Sequence, residues 1–365
     1  MRVRLYSSKA FLLLCVFGLI SAFTSPAGGA SAASGGVAQA SASEDVCESQ
    51  DACNVAGIGA DMIAAYPAPD VVQLAPNQEL ITDRLYQRVS QRVDIYDAPN
   101  GNIVSSLDAG FNFVTTWGPD GEWTQINQDQ WVRTEFLTPV TPSIFAGVLL
   151  PETLPYPMAW ALVHIVPSRT PGAEPISGDA VILRYTKLNL YDVVNVDGWD
   201  WYQVGVDQWV EQRDIARVEP VERPADVDTT KWISVDLYEQ VAIAYEDQQP
   251  VFATLISSGL GDWPTNEGLF HVYVRYPRTV MSGAEGQADF YYLEEVPWTM
   301  YFDHDIGLHG TYWHDGFGYR HSHGCVNLSI TDSHWLYDWA SSEVDLTVPE
   351  DTGAAVYVYS SGSYR

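Results

Sequence analysis

Apolar and polar residues alternate in short runs along most of the chain. Between Arg92 and Leu137 the runs are "RVDIYDA", "NFVTTW", "WTQIN" and "QWVRTEFL"; between Leu188 and Ile215 they are "LNLYDVVNV", "WYQVGV" and "QWVEQRDI". A period of two, broken by Asn-Gly, Asp-Gly and Pro signals, predicts short strands in small barrels or sandwiches. From Lys231 onward the texture stays β. "WISVDLYEQVAIAYEDQQPVFATLISSG" predicts a hairpin about an Asp-Gln-Gln-Pro turn, and "GLFHVYVRY" a further strand. "DFYYLEEVPWTMYFD" predicts two strands around Pro297, and "AAVYVYSS" a closing one. Only "SITDSHWLYDWASS" has a helical period, with Leu336, Trp339 and Ala340 on one face and Thr331 or Asp332 as its cap. The expected fold is mainly β, with one short helix in the C-terminal part.

The pattern also repeats. Trp123, Gln125, Asp129, Gln130, Trp131 and Val132 match Trp201, Gln203, Asp207, Gln208, Trp209 and Val210 at one constant offset. Six identities at a shared spacing predict a duplicated module, with Trp131 and Trp209 in its core. The stretch "VEPVERPADVD", Val218 to Asp228, is rich in Pro and charge and predicts a linker.

Length and composition sharpen this picture. A chain of 365 residues predicts two or three domains, and 46% hydrophobic with 18% charged residues is globular. The formal charge of -29 repels phosphates, which argues against a nucleic-acid partner. At the N-terminus Arg2, Arg4 and Lys9 precede the apolar run Ala10 to Phe23, and Ala30-Ser31-Ala32 offers a cleavage site. That order predicts an export signal over residues 1–32. The apolar run is short for a membrane span, which needs about 20 residues. The mature protein is therefore expected outside the cytoplasm, in the wall or the medium, or tethered to the membrane if the signal stays uncleaved. Cys47 and Cys53 are close enough to bridge in such a compartment, and Cys325 is then the odd cysteine.

Cys325 sits in "LHGTYWHDGFGYRHSHGCVNLS", a segment with four histidines. A thiol becomes a nucleophile when an imidazole takes its proton or stabilises the thiolate, and His309 and His323 are both candidates. His323 stands two positions from Cys325, so on extended chain both project to one face. Gly324 between them lets backbone approach a ligand, and amides here can meet an oxyanion. Trp298, Tyr301, Tyr312 and Trp313 are candidate walls. Three other readings compete: a zinc site, a redox cysteine, or a buried thiol acting as a small hydrophobe. A single cysteine with strand-spaced histidines is a poor zinc pattern, and no C-x-x-C is present. His304, His314 and His334 read as structural or surface residues.

As a set, His309-Gly310-Thr311 and Ser322-His323-Gly324-Cys325-Val326-Asn327 resemble the signature of L,D-transpeptidases of the YkuD type. "PTNEGLF", Pro264 to Phe270, is similar to a further stretch of that family, and the resemblance spans Lys231 to Tyr359. It implies that Cys325 forms a thioester with a peptidoglycan stem peptide and that His309, oriented by the Gly310 carbonyl, is the base. It further implies that His323 and the amides of Gly324 and Cys325 line the oxyanion site, supported by Ser322. Asn327, Arg320, Trp298 and Tyr301 are the expected substrate contacts. An amine acceptor would give a 3→3 cross-link, whereas water would give an L,D-carboxypeptidase; neither route implies a metal or other cofactor. A wall-binding protein without catalysis, or a papain-like peptidase, are the competing functions. The order of His309 before Cys325 argues against the latter.

The duplicated modules resemble bacterial SH3-like wall-binding domains. The expected layout is then a signal at 1–32, a linker with the Cys pair at 33–84, modules at 85–140 and 159–218, a linker at 219–230 and a catalytic domain at 231–359.

Overall fold

The computed structural model describes residues 57–175, 177–341 and 353–363. The expected export signal and the Cys47/Cys53 pair lie outside these residues. The described chain is mainly β, as the alternating runs predict, and its organisation turns on one sheet that is covered on both faces.

That sheet has seven strands, in the order Val72–Gln73, Val148–Leu149, Gln249–Leu255, Val241–Glu246, Lys231–Asp236, Ala355–Tyr359 and Gly268–His271. Only Lys231–Asp236 and Ala355–Tyr359 run parallel. Its strands read as near-continuous apolar runs because neither face meets water. Ile233, Val235, Ala242, Ala244, Phe252, Val356 and Val358 point to one core. The alternate positions Trp232, Val241, Ile243, Tyr245, Ala253 and Leu255 point to another.

The first of these cores is closed by a second seven-stranded sheet and by the helix Ile330–Ser341. The second sheet runs Val326–Leu328, Ile306–Gly310, Tyr291–Asp303, Phe111–Thr116, Leu85–Val89 and Leu137–Pro139, with Val274–Gly283 also on Tyr291–Asp303. Met300, Phe302, Leu308, Val326 and Leu328 from this sheet meet Leu336 and Ala340 of the helix. The helix starts from Ser329, whose Oγ accepts from the Asp332 N–H at 3.1 Å, rather than from Thr331 or Asp332 as expected. Asp332 is instead fully buried, accepting from Gly147 N–H at 2.8 Å and Thr254 Oγ1 at 2.7 Å. Burial pushes its carboxyl up to about 6.

The duplication is structural as well as sequential. In the first copy Trp123–Asn127 pairs with Gln130–Arg133, and in the second Trp199–Gly205 pairs with Gln208–Glu211. Thr124 faces Val132 and Gln125 faces Trp131; Tyr202 faces Val210 and Gln203 faces Trp209. Each pair carries its irregularity just after the glutamine, and each turn holds an Asp with positive φ, 55° at Asp129 and 52° at Asp207. A 3-10 turn then leads to a last strand, Leu137–Pro139 or Ile215–Val218, that pairs antiparallel with the first strand of its copy.

Three segments differ from expectation. Residues 57–84 and 219–230, expected as linkers, are packed because their apolar side chains join the cores. Ile81 of the helix Gln78–Thr82 and Val227 are buried, and Val221 N–H donates to Tyr245 Oη at 2.9 Å. Tyr291–Asp303 is one long strand rather than two. The chain bends beside Pro297 through Glu295 and Trp298, with φ of 52° and 55°, and pairing resumes on either side.

Candidate active site

Ile306–Gly310 and Val326–Leu328 are parallel neighbours, with His309 opposite Asn327. Parallel neighbours need a crossover. Here it is the loop Thr311–Cys325, stitched to residues 256–260 by backbone bonds. Gly318 N–H donates to Ile256 O, His321 and Ser322 N–H to Ser258 O, and Leu260 N–H to Ser322 O, all between 2.8 and 3.1 Å. This frame delivers Cys325 to the edge of the strand that faces His309.

The turn before the cysteine is built around Ser322. Its Oγ donates to Cys325 O at 2.5 Å and accepts from Gly324 N–H at 3.1 Å. Gly324 has φ of +116°, which L side chains rarely adopt, so the position requires glycine. Its carbonyl is held by Thr265 Oγ1 at 2.6 Å, and Thr265 Oγ1 in turn accepts from Gly259 N–H at 3.0 Å. The upstream "PTNEGLF" stretch thus props the cysteine turn from below.

Cys325 is half-buried in a cavity of about 80 Å³ lined with His309, Asn327, His321, Ser322, His323 and Asp305. The volume lies far below the ~300–1,000 Å³ of a pocket that engulfs a small ligand. It admits the reacting end of a chain rather than a whole peptide. Burial, with the Asp305 charge adding to it, pushes the Cys325 thiol up to about 11 despite a bond from the Gly307 backbone. His309 is 2% exposed, and burial pulls it down to about 4. Its Nδ1 lies 3.1 Å from Gly310 O, a carbonyl that only accepts. Nδ1 therefore carries the proton and Nε2 keeps a lone pair. The resting pair is a neutral thiol and a neutral imidazole, the imidazole ready to accept a proton.

His323 is wedged between aromatic rings, 4.3 Å from Trp263 and 5.3 Å from Tyr291. The structure brings Cys325, His309, His323, Ser322 and Asn327 to one cavity, with Gly310 and Gly324 behind them. One expected donor is committed elsewhere, since the Gly324 N–H is taken by Ser322 Oγ.

Three expected substrate contacts lie off the cavity wall. Trp298 packs on the helix, 4.4 Å from His334 and 5.3 Å from Tyr337. Arg320 lines a separate cavity of about 380 Å³ with Trp199, Arg213, Tyr238 and Tyr319, larger than the cysteine site yet without its thiol or imidazoles. Tyr301 stays near enough that charge on Cys325, second to burial, helps raise its hydroxyl to about 12.

Sequence reasoning missed Phe111, Met281, Tyr291, Leu293 and Asp305, which complete the wall. Phe111 belongs to the first repeat copy and arrives through the parallel pairing of Phe111 with Tyr291. No local signal marks it. Among the described residues no group of three or more His, Cys, Asp or Glu side chains is placed to hold a metal ion.

Residues 230–358 match the family model of YkuD, the L,D-transpeptidase catalytic domain. The match covers the stretch on which the sequence resemblance rests, and it supports a peptidoglycan transpeptidase type of function for this part of the chain. No curated protein matches. Among solved structures, an L,D-transpeptidase from Enterococcus faecium is 26% identical over 36% of this chain and 50% of its own, with a TM-score of 0.31. One from Stackebrandtia nassauensis is 26% identical over 39% of this chain and 58% of its own, with a TM-score of 0.28. The chain spans about half the length of the first structures it matches.

Proposed function

We propose that the protein is an exported cysteine L,D-transpeptidase that joins peptidoglycan stem peptides by 3→3 cross-links. The observation that carries the reading is the neutral pair in one cavity: Cys325 as thiol, and His309 with Nδ1–H bound to Gly310 O and Nε2 free. In the first step the Cys325 sulfur attacks the acyl carbon of the donor peptide as His309 Nε2 takes the thiol proton. The peptide C–N bond breaks, and the proton passes from His309 to the departing D-alanine amine. In the second step an amine of another stem attacks the thioester, gives its proton to His309 and releases Cys325 as thiol. Water in place of the amine gives the carboxypeptidase outcome. Neither acyl transfer calls on a metal or organic cofactor.

The reading extends to the rest of the chain. The 1–32 segment, as a signal, supports export, and two copies of one small β-module, each ending in a 3-10 turn and a pairing strand, support SH3-like wall-binding domains at 85–140 and 159–218. A donor tetrapeptide, incubated with and without an amine acceptor and followed by mass, tests the reaction. Cross-linked dimer that needs both the acceptor and Cys325 is the expected product. Release of D-alanine without dimer at any acceptor concentration would assign the carboxypeptidase, and no turnover would remove the enzyme.

A further inference from the structure

His314 belongs to none of the roles above, yet its ring meets Asn327, which lines the cysteine cavity. Gly316 N–H donates to its Nδ1 at 3.0 Å, and its Nε2 lies 2.9 Å from the side-chain amide of Asn327. His321 stacks on its ring at 4.0 Å and 14°. Asn327 is 1% exposed and lines the cavity beside Cys325, and the amide atom that does not meet His314 is buried without a hydrogen-bond partner.

The proton count decides how this amide is oriented. A nitrogen that accepts from a backbone N–H holds a lone pair, so Nδ1 of His314 is bare and the ring proton sits on Nε2. Nε2–H is then a donor and requires an acceptor. With its nitrogen toward His314 the Asn327 amide would present a donor to a donor. Turned through 180° it meets Nε2–H with its oxygen, and its NH2 becomes the end without a partner. Burial, the first cause, pulls the ring down to about 3, so it stays neutral and this tautomer persists across neutral pH.

We propose that His314 is a positioning residue that fixes the Asn327 amide with its NH2 donating into the Cys325 cavity, where it receives an oxygen of the substrate. The inference rests on the reading of Cys325 as nucleophile. It answers a deficit in the site, because the Gly324 N–H is committed to Ser322 and no Lys or Arg lines the cavity. A neutral donor stabilises a developing oxyanion in a water-poor cavity without adding a charge beside the thiol. Asp305 in the same wall makes such a donor more useful still, since the local field already opposes negative charge on sulfur.

Two isosteric changes separate the orienting role from a structural one. In His314→Gln the amide nitrogen stands where Nε2–H stood and still donates to Asn327, whereas in His314→Asn the amide oxygen stands where Nδ1 stood and keeps only the Gly316 bond. Acylation of Cys325 by a carbapenem, followed by intact mass, should fall about tenfold in His314→Asn and stay within about threefold in His314→Gln. The opposite order would assign His314 to the Gly316 turn and overturn the proposal. If both variants fail to fold, long-range proton–nitrogen spectra of the wild type decide: Nε2–H with bare Nδ1 from about pH 5 to 8 is expected, and Nδ1–H overturns it. A wild type that shows the expected tautomer but no adduct would remove the nucleophile reading and leave the His314–Asn327 arrangement in place.

Discussion

The two repeat copies share a register and differ in how they join the rest of the molecule. The first copy is attached through backbone as well as through side chains such as Tyr86, which stacks on Tyr312 at 3.7 Å. Its strand Phe111–Thr116 pairs in parallel with Tyr291–Asp303, and Glu294 at this seam accepts from Thr115 N–H at 2.9 Å. The second copy is attached through side chains. Met158, Trp160, Ala216 and Val218 pack on Trp232, Tyr245 and Phe317, and Arg217 pairs with Glu239, Nε to Oε1 at 2.7 Å. Gly318 has φ of +95°, which L side chains rarely adopt, so the crossover loop approaches Leu162 of this copy as glycine. The paired tryptophans diverge accordingly. Trp123 is buried at 7% in the first copy, whereas in the second it is Trp209, at 2%, whose backbone bonds Ser168 in both directions. One duplicated module has become a sheet extension that reaches the cysteine cavity in one place and a core-packing slab in the other. Changes in the first copy should therefore touch activity, and changes in the second mainly stability.

The largest effect expected is from Trp160→Ala. A fully buried indole at the centre of the second copy's interface is lost, which costs about 3–5 kcal/mol of unfolding free energy in urea, while folded protein is acylated at the wild-type rate. A near-wild-type midpoint would show that this copy does not share the catalytic core. Arg217→Met comes next, at about 3 kcal/mol, because it leaves the Glu239 carboxylate buried and unpaired. Burial already raises Glu239, so the folded variant binds a proton that the unfolded chain releases, and its loss should shrink as pH falls. A loss that grows on acidification would contradict the pairing.

Glu294→Ala should cost about 1–3 kcal/mol by stranding the Thr115 N–H, and unlike the preceding changes it should also slow acylation several-fold. Phe111→Ala removes a cavity wall from the strand that carries Thr115. It should lower stability by only about 1–2 kcal/mol, with a change in apparent affinity for the acylating ligand read from the concentration dependence of adduct formation. Unchanged kinetics in both would separate the first copy from the active site.

The alternation in "VAIAY" and "WISVD" foretold strands, and the burial of both faces explains why these runs look so apolar. The cysteine site was equally legible, since Ser322, Gly324 and His309 make local bonds that depend on near neighbours. What escaped was long-range. Phe111 reaches the cavity from about two hundred residues upstream, through a strand pairing no spacing announces. Trp298 packs against His334 and Tyr337 of the helix, a contact that no local spacing announces. His314 was passed over as a lone histidine, and its part is visible only once Gly316 and Asn327 are seen on its two nitrogens.

The central claim is that a neutral Cys325 thiol is activated by a neutral His309, and the pH dependence of acylation tests it most directly. Wild type and Cys325→Ala would be incubated with a carbapenem across the acid range and followed by intact mass. A single adduct on the wild type alone is predicted, with the rate holding through pH 6.5 and falling only as His309 takes up a proton at about 4. An adduct on Cys325→Ala, or an acid limb centred near the ordinary histidine value of about 6.5, would contradict it.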